Sequence, residues 1–283
     1  MSVFRTWRLG VLACLTVLSG ATDATVPFTL SSLEQDANWL DTQPNNGLSE
    51  DPSLFESVVF DGEEVLRATS TAVNIHSHYQ GTVPDDVACE YSGRMYSGAA
   101  SPNKGVTFAS DYPNADAYYR LRTYNGGTFQ LSFHPYYTKP APQGNLDTGV
   151  TAATHTWYRF RIQWGEDAGA TRIRAKVWVD GAEPEPEFWQ IGATDSDASR
   201  FAGCKVGVWS MNSDGQQYWD DLGLTEIDPQ WGATGDAGEG IEANPHLWFD
   251  TYLEPAHKVT GSRCAVPVLA AGIHVATTFK HAS

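Results

Sequence analysis

Seven basic side chains alternate with apolar ones along three short stretches of this chain. The stretches are 118–124 (YYRLRTY), 157–163 (WYRFRIQ) and 171–178 (TRIRAKVW). An arginine presents a planar fork of N–H donors that binds a carboxylate or a sulfate through two hydrogen bonds, and neighbouring aromatic rings can stack on sugars. The residues concerned are Arg120, Arg122, Arg159, Arg161, Arg172, Arg174 and Lys176, with Tyr124 and Trp178 beside them. The pattern predicts recognition of an acidic polysaccharide.

The elements that carry these side chains are predicted to be β-strands. A period of two places successive side chains on opposite faces of a sheet, so each stretch has one apolar face and one basic face. The turn Asn125-Gly126-Gly127 joins 118–124 to 128–134, and a second hairpin joins 157–163 to 171–178. We expect the two hairpins to form one continuous basic surface. The alternative is a solvated sheet face whose bases pair with neighbouring acids.

The same residues allow a catalytic hypothesis. β-Elimination from a uronate needs a cation to neutralise the carboxylate, a base for the C5 proton and an acid for the leaving oxygen. Arg120 or Arg122 is the candidate cation, His134 is the candidate base, and Tyr137 or Tyr124 is the candidate acid or base. The alternative for His134 is a hydrogen-bonded surface histidine. No serine-nucleophile or phosphate-loop motif is present.

The targeting signal and the net charge predict a secreted protein that does not bind nucleic acid. Arg5 and Arg8 precede an apolar run and then small residues, which is the order of a secretory signal peptide. The run is too short to span a bilayer, so residues 1–24 are predicted to be a signal peptide of a secreted protein, extracellular or periplasmic, with no stable membrane insertion. Removing them changes the net charge from −16 to −17. Such a chain repels nucleic acid, so no nucleic-acid partner is expected.

The chain after residue 24 is predicted to have two parts, a folded domain and a C-terminal extension. Short strand-like segments separated by Gly, Pro, Asn and Asp turns extend to about residue 227, and no segment has a sustained helical repeat. We therefore predict an all-β fold over 25–227, a two-sheet antiparallel β-jelly-roll sandwich. Residues 228–283 are predicted to be a linker and a C-terminal extension. Cys89 and Cys204 both fall in strand-like segments and are the favoured disulfide pair, with free thiols as the alternative.

Several segments resemble one superfamily. They are 92–98 (SGRMYSG), 104–129, 156–164 (TWYRFRIQW), 171–190 and 207–224 (GVWSMNSDGQQYWDDLGL). Together they look like secreted bacterial domains of the laminin-G/concanavalin A-like lectin and glucanase superfamily. The resemblance implies a jelly roll that often holds a glycan, and it covers binding modules, hydrolases and lyases alike. The Glu-x-Asp-x-x-Glu strand of laminarinase-type hydrolases is missing, and Asn74-Ile75-His76 is only a loose echo of the lyase strand Gln-Ile-His.

The resemblance also implies a metal site. Related jelly rolls place a structural Ca²⁺ beside the closing strand, where this chain has Asp220 and Asp221, and carboxylate oxygens suit that ion. The alternative for both residues is solvated turn chemistry. The first functional hypothesis is thus a secreted carbohydrate-binding protein for an anionic polysaccharide. The second is a polysaccharide lyase acting on uronate chains, favoured over a glycoside hydrolase, and the third is an adhesion module.

Overall fold

A computed structural model of the protein describes residues 27–42, 50–72, 74–98, 103–135, 139–211, 216–229 and 231. Within these ranges the chain is almost entirely β-structure, with one short 3₁₀-helix at Leu33–Gln35. The strands are β1 (Thr29–Leu30), β2 (Trp39–Thr42), β3 (Phe55–Phe60), β4 (Glu63–Ala68), β5 (Ile75–Tyr79), β6 (Ala88–Ser97), β7 (Lys104–Phe108), β8 (Tyr118–Arg122), β9 (Thr128–His134), β10 (Gln143–Asn145), β11 (Asp147–Thr151), β12 (Thr156–Asp167), β13 (Ala170–Val179), β14 (Ile191–Asp195), β15 (Gly207–Ser210) and β16 (Gln217–Ile227). None of the described segments is a helix long and apolar enough to cross a membrane.

The strands form two antiparallel sheets. The nine-stranded sheet has the order β10-β14-β13-β12-β6-β16-β4-β3, and β1 also pairs with β16. The seven-stranded sheet has the order β11-β9-β8-β7-β15-β5-β2. Some strands pair with a partner that is distant in sequence, as β6 pairs with β16. The predicted all-β, two-sheet jelly-roll sandwich is confirmed.

The alternation read from the sequence correctly identifies the core side of each strand. The apolar faces of β8, β12 and β13 lie between the two sheets, where Leu121, Phe160 and Val177 are almost fully buried. Removing this apolar surface from water is the main favourable contribution to folding. Because all three apolar faces point inward, the basic faces must point outward from whichever sheet the strand belongs to.

Both predicted hairpins are present, but they do not share a sheet. Strand β8 pairs with β9 in the seven-stranded sheet, and β12 pairs with β13 in the nine-stranded sheet. The continuous four-stranded basic surface is therefore wrong. Since the two sheets pack face to face, the outward side chains of β8 and those of β12 and β13 lie on opposite sides of the molecule.

The predicted disulfide is also present. Cys89 on β6 is bonded to Cys204, which precedes β15, so the bridge links the two sheets through the core. The predicted signal peptide, 1–24, and nearly all of the predicted extension, 228–283, lie outside the described residues and stay predictions. Trp231 is described, and Arg174 of β13 lies over its ring at 5.0 Å from the centroid.

One core side chain is a lysine. Lys104 on β7 points between the sheets and is fully buried, and its Nζ has no hydrogen-bond partner among the residues described. The ammonium lies 5.6 Å from the ring centroid of Phe129 and 5.5 Å from that of Tyr158. Aromatic faces compensate only part of the cost of burying a charge. Burial accordingly lowers the pKa of Lys104 from 10.5 to about 7.

This lysine predicts a pH-dependent stability. Between about pH 7 and pH 10.5 the unfolded chain holds a proton on Lys104 that the folded chain lacks, so stability should rise with pH across that window. Lys104→Met should remove this slope and raise the free energy of unfolding at neutral pH by about 2–5 kcal/mol. Urea unfolding at a series of pH values measures both effects.

A matched control is Lys139→Met. The Lys139 side chain is also buried, but its ammonium forms an ion pair with Asp195, so its removal leaves that buried carboxylate without a cation and should destabilise the protein. A loss of stability in Lys104→Met as large as that in Lys139→Met would contradict the account of Lys104.

Candidate functional site

The outer face of the nine-stranded sheet carries five of the seven predicted bases, and four of them form ion pairs. Arg159 Nε lies 2.7 Å from Asp180 Oδ1, and Arg161 Nη1 lies 2.9 Å from Glu185 Oε1. Arg172 pairs with Asp167 and Lys176 with Glu185. On this face the bases pair with neighbouring acids, which is the arrangement that the alternative interpretation describes.

Arg174 and Trp178 lie on the same face. The Arg174 guanidinium lies over the Trp189 ring at 4.7 Å, and its Nε donates to Gln163 Oε1 at 2.8 Å. Trp178 is mostly buried, with 8% of its surface exposed. These contacts hold the Arg174 side chain against the sheet.

Asp220 and Asp221, the predicted calcium ligands, belong to this ion-pair network. Arg94 Nη2 lies 2.5 Å from Asp220 Oδ2, and Arg159 Nη2 lies 2.9 Å from Asp221 Oδ2. A cation placed between these carboxylates would meet two guanidinium groups. Nor do the described residues contain any cluster of three His, Cys, Asp or Glu side chains that fits a metal ion. The two residues therefore do not fit a Ca²⁺ site.

Arg94 holds the network together, and the sequence interpretation gave it no role. Besides Asp220 it pairs with Glu63 and with Asp180 Oδ2, the latter at 3.2 Å. Burial acts to raise the pKa of Asp180, but hydrogen bonds from Arg159 and Arg94 outweigh it and hold that pKa below its ordinary value. The network ties β6, β12 and β16 across the outer face of the sheet.

The outer face of the seven-stranded sheet is built differently. Arg120 and Arg122 lie side by side on β8, and both donate from Nε to one acceptor, Ser132 Oγ on β9, at 2.9 and 3.0 Å. Both guanidinium carbons lie over the Trp209 ring, 5.0 and 5.4 Å from its centroid. We call Arg120 and Arg122 the arginine pair. Among the described residues, Arg120 forms no ion pair with a carboxylate, although only 7% of its surface is exposed.

A buried aromatic and histidine layer surrounds the arginine pair. Tyr118 Oη lies 3.0 Å from His76 Nε2, and the His78 ring stacks on Tyr112 at 4.1 Å. Burial is the largest cause that holds the pKa of His76 well below its ordinary value, and Arg120 adds to it. Burial likewise lowers the pKa of His78 to about 3. Both imidazoles are therefore neutral at physiological pH and add no charge beside the arginines.

His134 and Arg122, two of the residues proposed for catalysis, lie on this outer face. His134 Nε2 lies 3.0 Å from Asp116 Oδ2, and its ring stacks on Tyr118 at 5.2 Å. His134 is the register partner of Tyr118, and Arg122 lies further along β8 on the same face. Tyr137 lies outside the described residues. Tyr124 is 42% exposed, and the Arg122 guanidinium lies over its ring at 4.7 Å.

Sequence reasoning missed several members of this face. The alternating pattern assigns no role to Ser132, Trp209 or His78, and it predicts no strand at β5. Every residue of β5 is buried, so it lacks the alternation that marks a half-buried strand. The spacing of His76 and His78, two apart, was the available signal that they share a face.

Comparison with known proteins finds similar folds. No protein-family model and no curated protein matches the chain. Among solved structures, the carbohydrate-binding module CBM66 from Bacillus subtilis aligns with a TM-score of 0.41 and 9% identity, over 65% of this chain and 93% of that one. The cellulose-induced protein Cip1 aligns with a TM-score of 0.43 and 14% identity, over 69% and 94%. The Ca²⁺- and Man2-bound exoplasmic/lumenal domain of VIP36 aligns with a TM-score of 0.42 and 7% identity, over 72% and 90%. Likenesses at this level carry no argument about ligand, metal or reaction.

The ion-pair network predicts that calcium does not change the stability of the folded protein. Asp220→Ala should lower the free energy of unfolding by about 1–3 kcal/mol, because the largely buried Arg94 loses one of its carboxylate partners. Asp221→Ala, at a more exposed carboxylate, is the matched control and should have the smaller effect. Chemical unfolding of both variants and of the wild type is measured with calcium chloride and with a chelator. A midpoint that calcium raises in the wild type and not in Asp220→Ala would restore the calcium site.

Proposed function

We propose that this protein binds an acidic carbohydrate on the outer face of its seven-stranded sheet. The arginine pair is the anion-binding element, and Tyr124 at its exposed side is a platform for a sugar ring. Among the described residues, no comparable excess of positive charge exists on the opposite face, where the network of acids neutralises the arginines. Arg159, Arg161, Arg172, Arg174 and Trp178 are therefore not part of the proposed site.

The observation that carries this proposal is the position of Arg120. A guanidinium so deeply buried normally has a carboxylate beside it, because removing a charge from water costs several kcal/mol. Arg120 has instead a serine hydroxyl, an indole ring and a second arginine. Burial lowers the pKa of Arg120 below its ordinary value. Among the described residues no carboxylate pairs with Arg120, and an anion supplied by a ligand would be such a partner.

We also propose that the protein works outside the cell, as a secreted member of the laminin-G/concanavalin A-like superfamily. The Cys89–Cys204 disulfide supports export, since such bonds persist in oxidising compartments. The basic residues and apolar run before residue 24 support it independently.

A retention experiment tests the binding site. Arg120→Ala with Arg122→Ala should weaken binding to immobilised acidic polysaccharide by about tenfold or more, since charge-assisted hydrogen bonds contribute about 1.5–3 kcal/mol each. Arg159→Ala with Arg161→Ala removes equal charge from the opposite face and should leave retention within about twofold of wild type. Affinity electrophoresis in gels containing alginate or pectin gives the comparison. Equal losses in the two double variants would reject a site on the seven-stranded sheet.

The His134–Asp116 contact favours a second function on the same face, polysaccharide lyase activity. Asp116 fixes the His134 ring, as a carboxylate does for a catalytic base. In the reaction His134 would take the C5 proton of a uronate whose carboxylate is held by Arg122. The C4–O bond would break as the C4=C5 double bond forms, and the leaving oxygen would take a proton from an acid, the role assigned to Tyr137.

One assay separates binding from elimination. Each turnover forms an unsaturated uronate, so a lyase raises ultraviolet absorbance on alginate, pectin, glucuronan or ulvan. His134→Ala should abolish that rise and leave retention on the same polymer intact, because the arginine pair remains. If the wild type retains the polymer and produces no absorbance on any of the four, the lyase function is excluded and binding stands.

A further inference from the structure

Four aromatic side chains lie together on the outer face of the nine-stranded sheet. Trp157 on β12, Tyr96 on β6 and Tyr218 on β16 are direct partners in the strand register, so their rings form a line across three neighbouring strands. The ring centroids of Trp157 and Tyr96 are 5.3 Å apart, and those of Tyr96 and Tyr218 are 5.7 Å apart. Phe60, the last residue of β3, stacks on Tyr218 at 4.2 Å. We call these four residues the aromatic row.

The aromatic row faces away from the core. Met95 and Trp219, which are chain neighbours of its members, are buried between the sheets, and successive side chains of a strand point to opposite faces. Phe60, Tyr96 and Trp157 are only half-buried. Part of their apolar surface therefore remains in water, where a ligand that covers it gains hydrophobic stabilisation.

A row of charged side chains lies beside the aromatic row. Two residues further along each strand, and so on the same face, are Arg159 on β12, Arg94 on β6 and Asp220 on β16. Arg94 connects the two rows, because its guanidinium lies over the Trp157 ring at 4.6 Å and its Nη2 pairs with Asp220. Arg159 Nη2 also pairs with the more exposed carboxylate of Asp221. The face thus presents aromatic rings and hydrogen-bonding groups in two parallel lines.

A histidine fixes the hydroxyl group of the central ring. His155, in the turn before β12, is exposed, and its Nδ1 lies 3.1 Å from Tyr96 Oη. The backbone of His155 has a φ of 55°, a left-handed conformation that is uncommon for a residue other than glycine. Such conformations persist where the surrounding structure holds them, and they are frequent at binding sites. The contact keeps a polar group in place at the edge of the rings.

Negative charge exceeds positive charge around the aromatic row. In the described part of the chain, Arg94 and Arg159 pair with four carboxylates, and burial together with the nearby Asp61 carboxylate raises the pKa of Tyr96. The four carboxylates are those of Glu63, Asp180, Asp220 and Asp221. An anionic polymer is repelled by such a surface. The hydroxyl groups of a neutral sugar, in contrast, can donate to the carboxylates and accept from the guanidinium groups.

A pyranose ring with equatorial hydroxyl groups, as in glucose, matches this arrangement. It has C–H groups on both faces, which can stack on aromatic rings, and hydroxyl groups at its edge, which can reach the charged row. Neighbouring strands are about 4.8 Å apart, similar to the length of one sugar residue in an extended β-linked chain. Successive sugars can therefore meet successive rings of the aromatic row. An entirely apolar partner would instead bury the charged row without forming hydrogen bonds to it.

We infer that the aromatic row is a second carbohydrate-binding site, which takes a neutral β-linked glucan with its sugars stacked on Trp157 and Tyr96. The site lies on the opposite side of the molecule from the arginine pair, and it does not depend on the function proposed for that pair. With both sites, one molecule connects a neutral polysaccharide to an acidic one.

Two substitutions at one position test the recognition of a ring. Trp157→Leu keeps an apolar side chain and loses the flat ring, so it should weaken binding to mixed-linkage β-glucan and to hydroxyethylcellulose about tenfold. Trp157→Tyr keeps a ring and should remain within about threefold of wild type. Phe188→Ala removes an aromatic side chain that is 47% exposed elsewhere, and it should change binding by less than about twofold.

Affinity electrophoresis in gels that contain either glucan measures these differences. Equal retention of the Trp157→Leu and Trp157→Tyr variants, whether high or low, overturns the inference. So does a wild type that neither glucan retards.

A thermal measurement keeps the test valid if a substitution lowers stability. Cellohexaose should raise the thermal midpoint of the wild type and of Trp157→Tyr, and it should leave that of Trp157→Leu unchanged, because a ligand stabilises only a folded state that binds it. An equal rise in all three proteins would show that the ligand binds away from Trp157 and would contradict the inference.

Competition separates this site from the arginine pair. An excess of galacturonate oligomer should leave retention on the neutral glucan unchanged, since the two ligands are expected on opposite faces. Displacement by the oligomer would mean that both ligands share one site, and there would then be no second site. A protein that binds the neutral glucan and no acidic polysaccharide would overturn the function proposed for the arginine pair and leave the present inference standing.

Discussion

The apolar interior shared by the two sheets is the constraint on which the rest of the structure depends. Each strand that contributes to it turns one face inward, as β8 does with Leu121 and β12 with Phe160. The side chains between must then point outward, away from the opposing sheet. A sandwich therefore has two separate polar faces, and the sheet to which a strand belongs decides which of them its arginines join.

The two outer faces differ in the groups that lie beside their arginines. On the nine-stranded sheet, Arg94 and Arg159 share Asp180 and reach Asp220 and Asp221, so charge is balanced within the protein. On the seven-stranded sheet, Arg120 and Arg122 share an acceptor that carries no charge. The first arrangement holds strands together. In the second, Arg120 has no carboxylate partner within the described ranges, which is why the binding proposal falls on that face.

The layer around the arginine pair contains buried polar atoms that lower the stability of the folded protein. Within the part of the chain that the structure describes, His78 has no hydrogen-bond partner for either ring nitrogen, and His76 has none for Nδ1. Buried polar atoms without partners lower stability, and natural proteins keep them where function requires them. Lys104 is a similar case inside the core, but it lies between the sheets and faces no ligand surface. The buried polar atoms of this layer thus lower stability on the same face on which we propose that a ligand binds.

The sequence by itself determined the all-β class, both hairpins and the inward side of β8, β12 and β13, because a period of two is a local property of the chain. It also indicated the Cys89–Cys204 pair and the residues of the arginine pair. Only the tertiary structure decided that β8 and β12 lie in different sheets, since strand order depends on pairings such as β6 with β16 and β7 with β15, which are remote in sequence. Pairings of this kind bring Trp209 and His76 to the arginines, and Arg94 to Asp220, whereas Ser132 reaches the arginines through the local β8–β9 hairpin. Neutralised and unneutralised bases look identical along a chain, because the acid that neutralises an arginine is chosen by the fold.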